Sequence, residues 1–130
     1  MKIIRGLALL LPFALLLLSR PVAAHHGVPN TDMSKQVTIK GTVVDYLLIN
    51  PHMEMRVKVI GDDGNPVEWS VEGVSLLMMT RVGFKRDTFK PGDQITVVGH
   101  PNKDGKPFMV LVKFVFPDGH EMQSGYDGAR

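Results

Sequence analysis

The chain has 130 residues, 44% of them hydrophobic and none a cysteine, which is enough for one domain with one core and no disulfide to brace it. Its 15 basic and 13 acidic residues give a net charge of +2, but Lys2, Arg5 and Arg20 all fall within the first 24 residues. Without that segment 12 basic residues face 13 acidic ones, a net charge of −1, and bulk charge gives no footing for a nucleic-acid partner.

Residues 1–24 read as a cleavable signal peptide. Lys2 and Arg5 supply the positive start, Leu7 to Leu18 is the apolar run, Ser19-Arg20-Pro21 breaks it, and Val22-Ala23-Ala24 offers small residues for cleavage. The run includes Pro12 and is far short of the roughly 20 apolar residues a membrane span needs. The expectation is an exported chain that begins at His25-His26 and has no stable membrane anchor after cleavage. It would reside in the periplasm, or be secreted if the source has no outer membrane.

Residues 25–36 are polar, contain Gly27 and Pro29, and read as an extended N-terminal arm. The domain proper is expected over residues 37–117. Val37, Ile39, Gly41 and Val43 alternate with polar residues, and then the phase slips so that Val44, Tyr46 and Leu48 continue the apolar set. Such a slip within one strand marks a bulge or sharp bend. After the Asn50-Pro51 turn, Met53, Met55, Val57 and Val59 share one face, with His52, Glu54, Arg56 and Lys58 on the other.

The Gly61 to Asn65 loop closes a hairpin onto Val67, Trp69 and Val71, with Trp69 facing inward as a core anchor. A symmetric hairpin sets Lys58 opposite Glu68 and Arg56 beside Ser70. A short helix is predicted from Leu76 to Val82, with Ser75 as N-cap and Gly83 just past its end. Lys90-Pro91-Gly92-Asp93 turns into a strand at Ile95 to Val98, and the last strand runs from Phe108 to Phe116. In that strand Val110, Val112, Phe114 and Phe116 are expected inward, leaving Met109, Leu111 and Val115 outward. Residues 118–130 read as a loose polar tail.

Three strands with a bent first one, a short helix, then two strands is the element order of a mainly β, five-stranded OB-like barrel with its helix between strands 3 and 4. An open five-stranded sheet with one helix is the competing architecture. OB domains that grip single strands show aromatic rings and cations on the face of strands 2 and 3. Here that face is of mixed charge without a ring, which disfavours nucleic acid.

None of the familiar metal or nucleophile motifs is present, and no enzymatic activity is expected. Cleavage after Ala24 would give His25 a free α-amine beside its imidazole, a compact chelate suited to copper, nickel or zinc. His26 adds a second imidazole, and His52 faces away from the core just after the Asn50-Pro51 turn. His100 and His120 lie in loops, where solvated histidine is the default. Among the methionines only Met33, on the arm, is a candidate soft ligand, since Met53 and Met55 alternate with charges and fill the core.

Taken in order, Ala24-His25-His26, Lys40-Gly41-Thr42-Val43, Asn50-Pro51-His52, Glu68-Trp69-Ser70-Val71-Glu72, Gly83-Phe84, Lys90-Pro91-Gly92-Asp93, Gly99-His100-Pro101 and Lys103-Asp104-Gly105 form a series. The series resembles a family of bacterial exported proteins defined by a domain of unknown function, number 6152. The resemblance implies a periplasmic or secreted OB-like barrel with no assigned activity, in which the histidine pair and the Asn-Pro-His turn recur as landmarks. Met53-Glu54-Met55 departs from the aromatic or aliphatic residue that relatives carry after the turn.

The leading expectation is a non-enzymatic binding module holding a transition metal, copper first, through His25, His26 and His52. The alternative is an envelope protein–protein interaction module with no metal, motivated by the outward strip expected on the last strand.

Overall fold

A computed structural model describes residues 30–125. The leader, His25 and His26 lie outside the described residues. Six strands and one helix follow in the order β1 (Val37–Leu47), β2 (Glu54–Ile60), β3 (Pro66–Glu72), α1 (Leu76–Arg81), β4 (Gln94–Pro101), β5 (Phe108–Val115) and β6 (Glu121–Gln123). The strand order is β3-β2-β1-β4-β5-β6, and a further pairing of β3 with β5 closes the first five strands into a barrel.

Closure depends on β1 serving two neighbours. Val37 to Thr42 pair with Gly99 to Gln94 of β4, and Thr42 to Leu47 pair with Lys58 to Glu54 of β2. The changeover is a register shift between Val43 and Asp45, at the site of the phase slip in the sequence. There Val43 bonds the Lys90–Asp93 turn instead, donating its N–H to Asp93 O and accepting from Gly92 N–H, both at 2.8 Å. Gly41 lets the strands cross closely, because a Cβ at that position would stand 2.3 Å from the Lys58 carbonyl oxygen.

The hairpin of β2 and β3 has Lys58 opposite Glu68 and Arg56 opposite Ser70, the symmetric register. Its inner face supplies Met55, Val57 and Val71 to the core, joined by Ile39, Ile95 and Val97. Trp69 is only half-buried and packs on the edge of this core, while Val67 is exposed. The expected inward anchor is thus a rim residue, because β3 meets β5 only from Ser70 onward.

β5 departs from its expected pattern. Met109 and Leu111 are fully buried core residues, as is Phe114. The cause is a second register shift, in which Val98 pairs with Lys113 but Gly99 pairs with Leu111, so Val112 has no rung of its own. One extra residue reverses which side chains face inward. The outward strip of Met109 and Leu111 does not exist.

The other edge of β5 is shared. Phe108, Met109 and Val110 pair with β3, Lys113 to Val115 pair with β6, and Ser124 fills the gap by donating its N–H to Val112 O and its hydroxyl to Leu111 O. Residues 118–125, expected as loose tail, therefore include a strand that packs Met122 on the core.

The helix forms where its caps are. Ser75 Oγ accepts from Met78 N–H, and Gly83, at φ +101°, ends it with Phe84 N–H on Met79 O and Gly83 N–H on Thr80 O. That reversal sends Met79 and Phe84 into the barrel, where Phe84 and Phe89 meet the Phe114 ring at 5.8 and 4.7 Å. Tyr46 lies edge-on to Phe89 at 5.1 Å, and its hydroxyl is buried with no hydrogen-bond partner among the described residues.

Two stability measurements check this packing. Gly41→Ala is expected to lower unfolding free energy by roughly 1–3 kcal/mol in urea denaturation, the usual range for forcing an extra methyl into a filled site. Tyr46→Phe is expected to be neutral or stabilising, since it removes an unpaired hydroxyl. Burial pushes the Tyr46 phenol up to about 12 from its ordinary 10. The unfolded chain therefore ionises first, and the contribution present below pH 10 is lost as pH rises toward 12. Tyr46→Phe should remove that part of the alkaline decline.

Candidate functional site

His52 is fixed by its neighbours on both sides. Asn50 Oδ1 accepts from the Leu76 N–H at 3.2 Å, tying the turn to the start of α1. Met53 is buried and bonded both ways, its N–H to Val74 O at 2.9 Å and its carbonyl from Gly73 N–H at 2.8 Å. Gly73 leaves room for the Met53 side chain, since a Cβ would stand 2.9 Å from Met53 Cε and 3.2 Å from its Cβ. With Met53 held inward, alternation turns His52 and Glu54 to the outer face.

Glu72 stands opposite Glu54 in the hairpin register, which places it diagonally across from His52. The His52 Nδ1 to Glu72 Oε1 distance is 2.5 Å, with both side chains half-buried. An ionised carboxylate only accepts, so Nδ1 donates the N–H of this contact. Sequence reasoning missed Glu72; the signal that could have found it is the hairpin register, because diagonal cross-strand positions lie within reach of long side chains.

Beside the pair lies a shallow depression of about 340 Å³ bounded by Asp45, Glu54, Arg56, Ser70 and Phe108. Arg56 contributes no spare charge to it. Its Nε and Nη2 donate to Asp45 Oδ2 and its Nη1 to Glu68 Oε1, which holds the guanidinium protonated more firmly than usual.

The described part of the arm is anchored. Asp32 N–H donates to Pro101 O and Lys103 N–H to Asn30 O, each at 2.8 Å, around a bridge between Thr31 and Asn102. Asp32 caps the turn that follows, and the Ser34 hydroxyl and Lys35 ammonium hold its carboxyl below the usual range. His100 is buried, and its Nδ1 reaches the Lys35 carbonyl oxygen at 2.6 Å. It locks the arm to β4. Met33, the candidate soft ligand, sits half-buried in this turn.

His120 is remote from both. Its ring stacks on Phe116 at 4.0 Å, and its Nδ1 lies 2.5 Å from Asp118 Oδ1. Hydrogen bonds from the His120 backbone and ring lower the Asp118 carboxyl.

Of the three predicted metal ligands, only His52 is among the described residues, and no group of three or more His, Cys, Asp or Glu side chains able to hold a metal occurs there. Reach to the other two is bounded by the anchor. From Asn30 the ladder passes Asn102 and Phe108 to Ser70, three steps of about 4.8 Å, and Glu72 lies two residues further along β3. The diagonal is about 16 Å, and residues 25–29 span up to about 17 Å when extended.

The sequence model of the Family of unknown function (DUF6152) matches residues 14–110. The chain belongs to that family, and the match takes in the histidine pair, the Asn-Pro-His turn and the start of β5. No curated protein matches the chain.

Replacing His100 by Ala is expected to speed amide exchange at Asp32 and Lys103 while leaving the β2 core amides unchanged, as read by hydrogen exchange.

Proposed function

We propose that this member of the family is exported, is cleaved after Ala24, and acts as a non-enzymatic periplasmic module that holds one copper ion through His25, His26 and His52. The observation that carries this reading is the His52–Glu72 pair. Metal-binding imidazoles commonly donate their second ring N–H to a carboxylate, which fixes the tautomer and makes the ligating nitrogen more basic. Glu72 is so placed on Nδ1, and the copper would be taken by Nε2.

The His25 amine and imidazole would form the chelate, with the His26 and His52 imidazoles completing a nitrogen set of the kind Cu(II) favours. The anchored arm supports it, since the five residues before Asn30 are long enough to reach Glu72 and no longer than needed. Neutral imidazole is the ligand, so binding weakens as pH falls through the ordinary imidazole range near 6.5. Burial of Met109 and Leu111 removes the strip on the last strand that motivated the protein-docking alternative.

Native mass spectrometry of a chain beginning at His25 is expected to show one Cu(II) per chain. One extra residue before His25, or His52→Gln, should each weaken binding at least about tenfold, and Glu72→Gln by about 10–100-fold. Equal affinity in all four proteins would count against the site.

A further inference from the structure

The far end of α1 presents a surface that the copper site does not use. Because Gly83 reverses the chain and turns Phe84 inward, Lys85 and Arg86 emerge beside the exposed side of the helix. That side carries Leu77, Met78 and Val82, which are 57%, 42% and 41% exposed. Leu77 and Arg81 are one helical turn apart, as are Met78 and Val82, so cation and apolar side chains share one face. Between the helix and the chain after it runs an apolar groove of about 530 Å³, with Leu48, Leu76 and Phe84 in its walls and Lys85 and Arg86 at its border.

Charge on this surface runs against that of the molecule. From Ser75 to Phe89 the chain carries Arg81, Lys85 and Arg86 against the single acid Asp87, although the chain from His25 onward has a net charge of −1. Among the described residues none of these three cations makes an ion pair, a state shared by Lys40, Lys58, Lys90 and Lys103. Here, however, three such cations gather beside exposed apolar side chains, whereas Lys35, Arg56, Lys106 and Lys113 are paired with carboxylates.

We infer that this face docks the barrel on an anionic phospholipid bilayer. Leu77, Met78 and Val82 enter the headgroup boundary, an acyl chain end lies in the groove, and Arg81, Lys85 and Arg86 meet lipid phosphates. Protruding apolar side chains bordered by unpaired cations have the chemistry of an interfacial contact, where apolar burial and attraction to anionic lipid add together. A soluble acidic protein segment would satisfy the cations but would leave the protruding Leu77, Met78 and Val82 without an apolar phase. The contact is peripheral and reversible, and it does not rest on the copper reading.

Co-sedimentation of the chain 25–130 with vesicles tests it. That chain keeps the whole core, which lies between Ile39 and Phe114. Phosphatidylcholine vesicles containing phosphatidylglycerol should bind the protein, and pure phosphatidylcholine should bind it far less. Raising salt from 0.01 to 1 M should release it, because the screening length shrinks from about 30 to about 3 Å. Lys85→Gln with Arg86→Gln should weaken binding about 30-fold, on the basis of about 1 kcal/mol per surface cation, and Leu77→Ser should weaken it independently. All replaced residues are exposed, so thermal unfolding should stay at the wild-type temperature and copper binding should be unaffected. Equal partition to both vesicle types, unchanged binding by both variants, or binding to poly-glutamate without binding to vesicles would overturn the inference.

Discussion

Closure of the barrel rests on three parallel rungs, Ser70 with Phe108, Val71 with Met109 and Glu72 with Val110. Everything described for the site follows from where these rungs fall. They take the end of the β2–β3 hairpin, which carries Glu72 beside His52, and attach it to the start of β5. The start of β5 is bonded through Asn102 to the end of β4, and that end carries the arm. An open sheet of the same strands would leave the arm and His52 on opposite sides of the molecule, because β1 and β2 alone would link them.

So short a closure holds because the rest of the barrel is shaped for it. The bend in β1 allows one strand to serve both halves, and the absence of a side chain at Gly41 allows the close crossing. The slip in β5 brings Met109, Leu111 and Phe114 all inward, so the middle closing rung, Val71 with Met109, carries core side chains on its inner face. The rings of Phe84 and Phe89, brought in by the reversal at Gly83 and the Lys90–Asp93 turn, pack against the Phe114 ring of β5. Burial of such large side chains is the dominant stabilising term in a domain with no disulfide.

The sequence was informative wherever period and turn chemistry act locally. The slip at Val43-Val44, the hairpin register, the Ser75 and Gly83 caps and the mainly β barrel order were all legible. β5 was misread because its run is almost wholly apolar, so alternation cannot say which residues face inward. The slip that decides it depends on pairing with Gly99 across the barrel. The last strand was missed for a related reason. β6 has three residues, and it forms only because β5 leaves an edge beyond the reach of β3. In the site, His52 stood out in the sequence but Glu72 did not, since their meeting needs the register. His100 looked like a loop residue, yet it is buried because the arm folds back over it.

The same physics gives the histidines different parts. His100 spends its N–H on the Lys35 carbonyl and holds the arm, while His52 spends its own on the Glu72 carboxylate, which in the proposed copper site would make it a better ligand. If closure brings the arm and His52 to one copper ion, the ion's paramagnetism must reach both. One equivalent of Cu(II) added to the chain beginning at His25 should broaden the amide resonances of Thr31 and Asp32 together with those of Glu72 and Gly73, in the same titration step. Broadening confined to the arm, with Glu72 and Gly73 still sharp, would contradict the account.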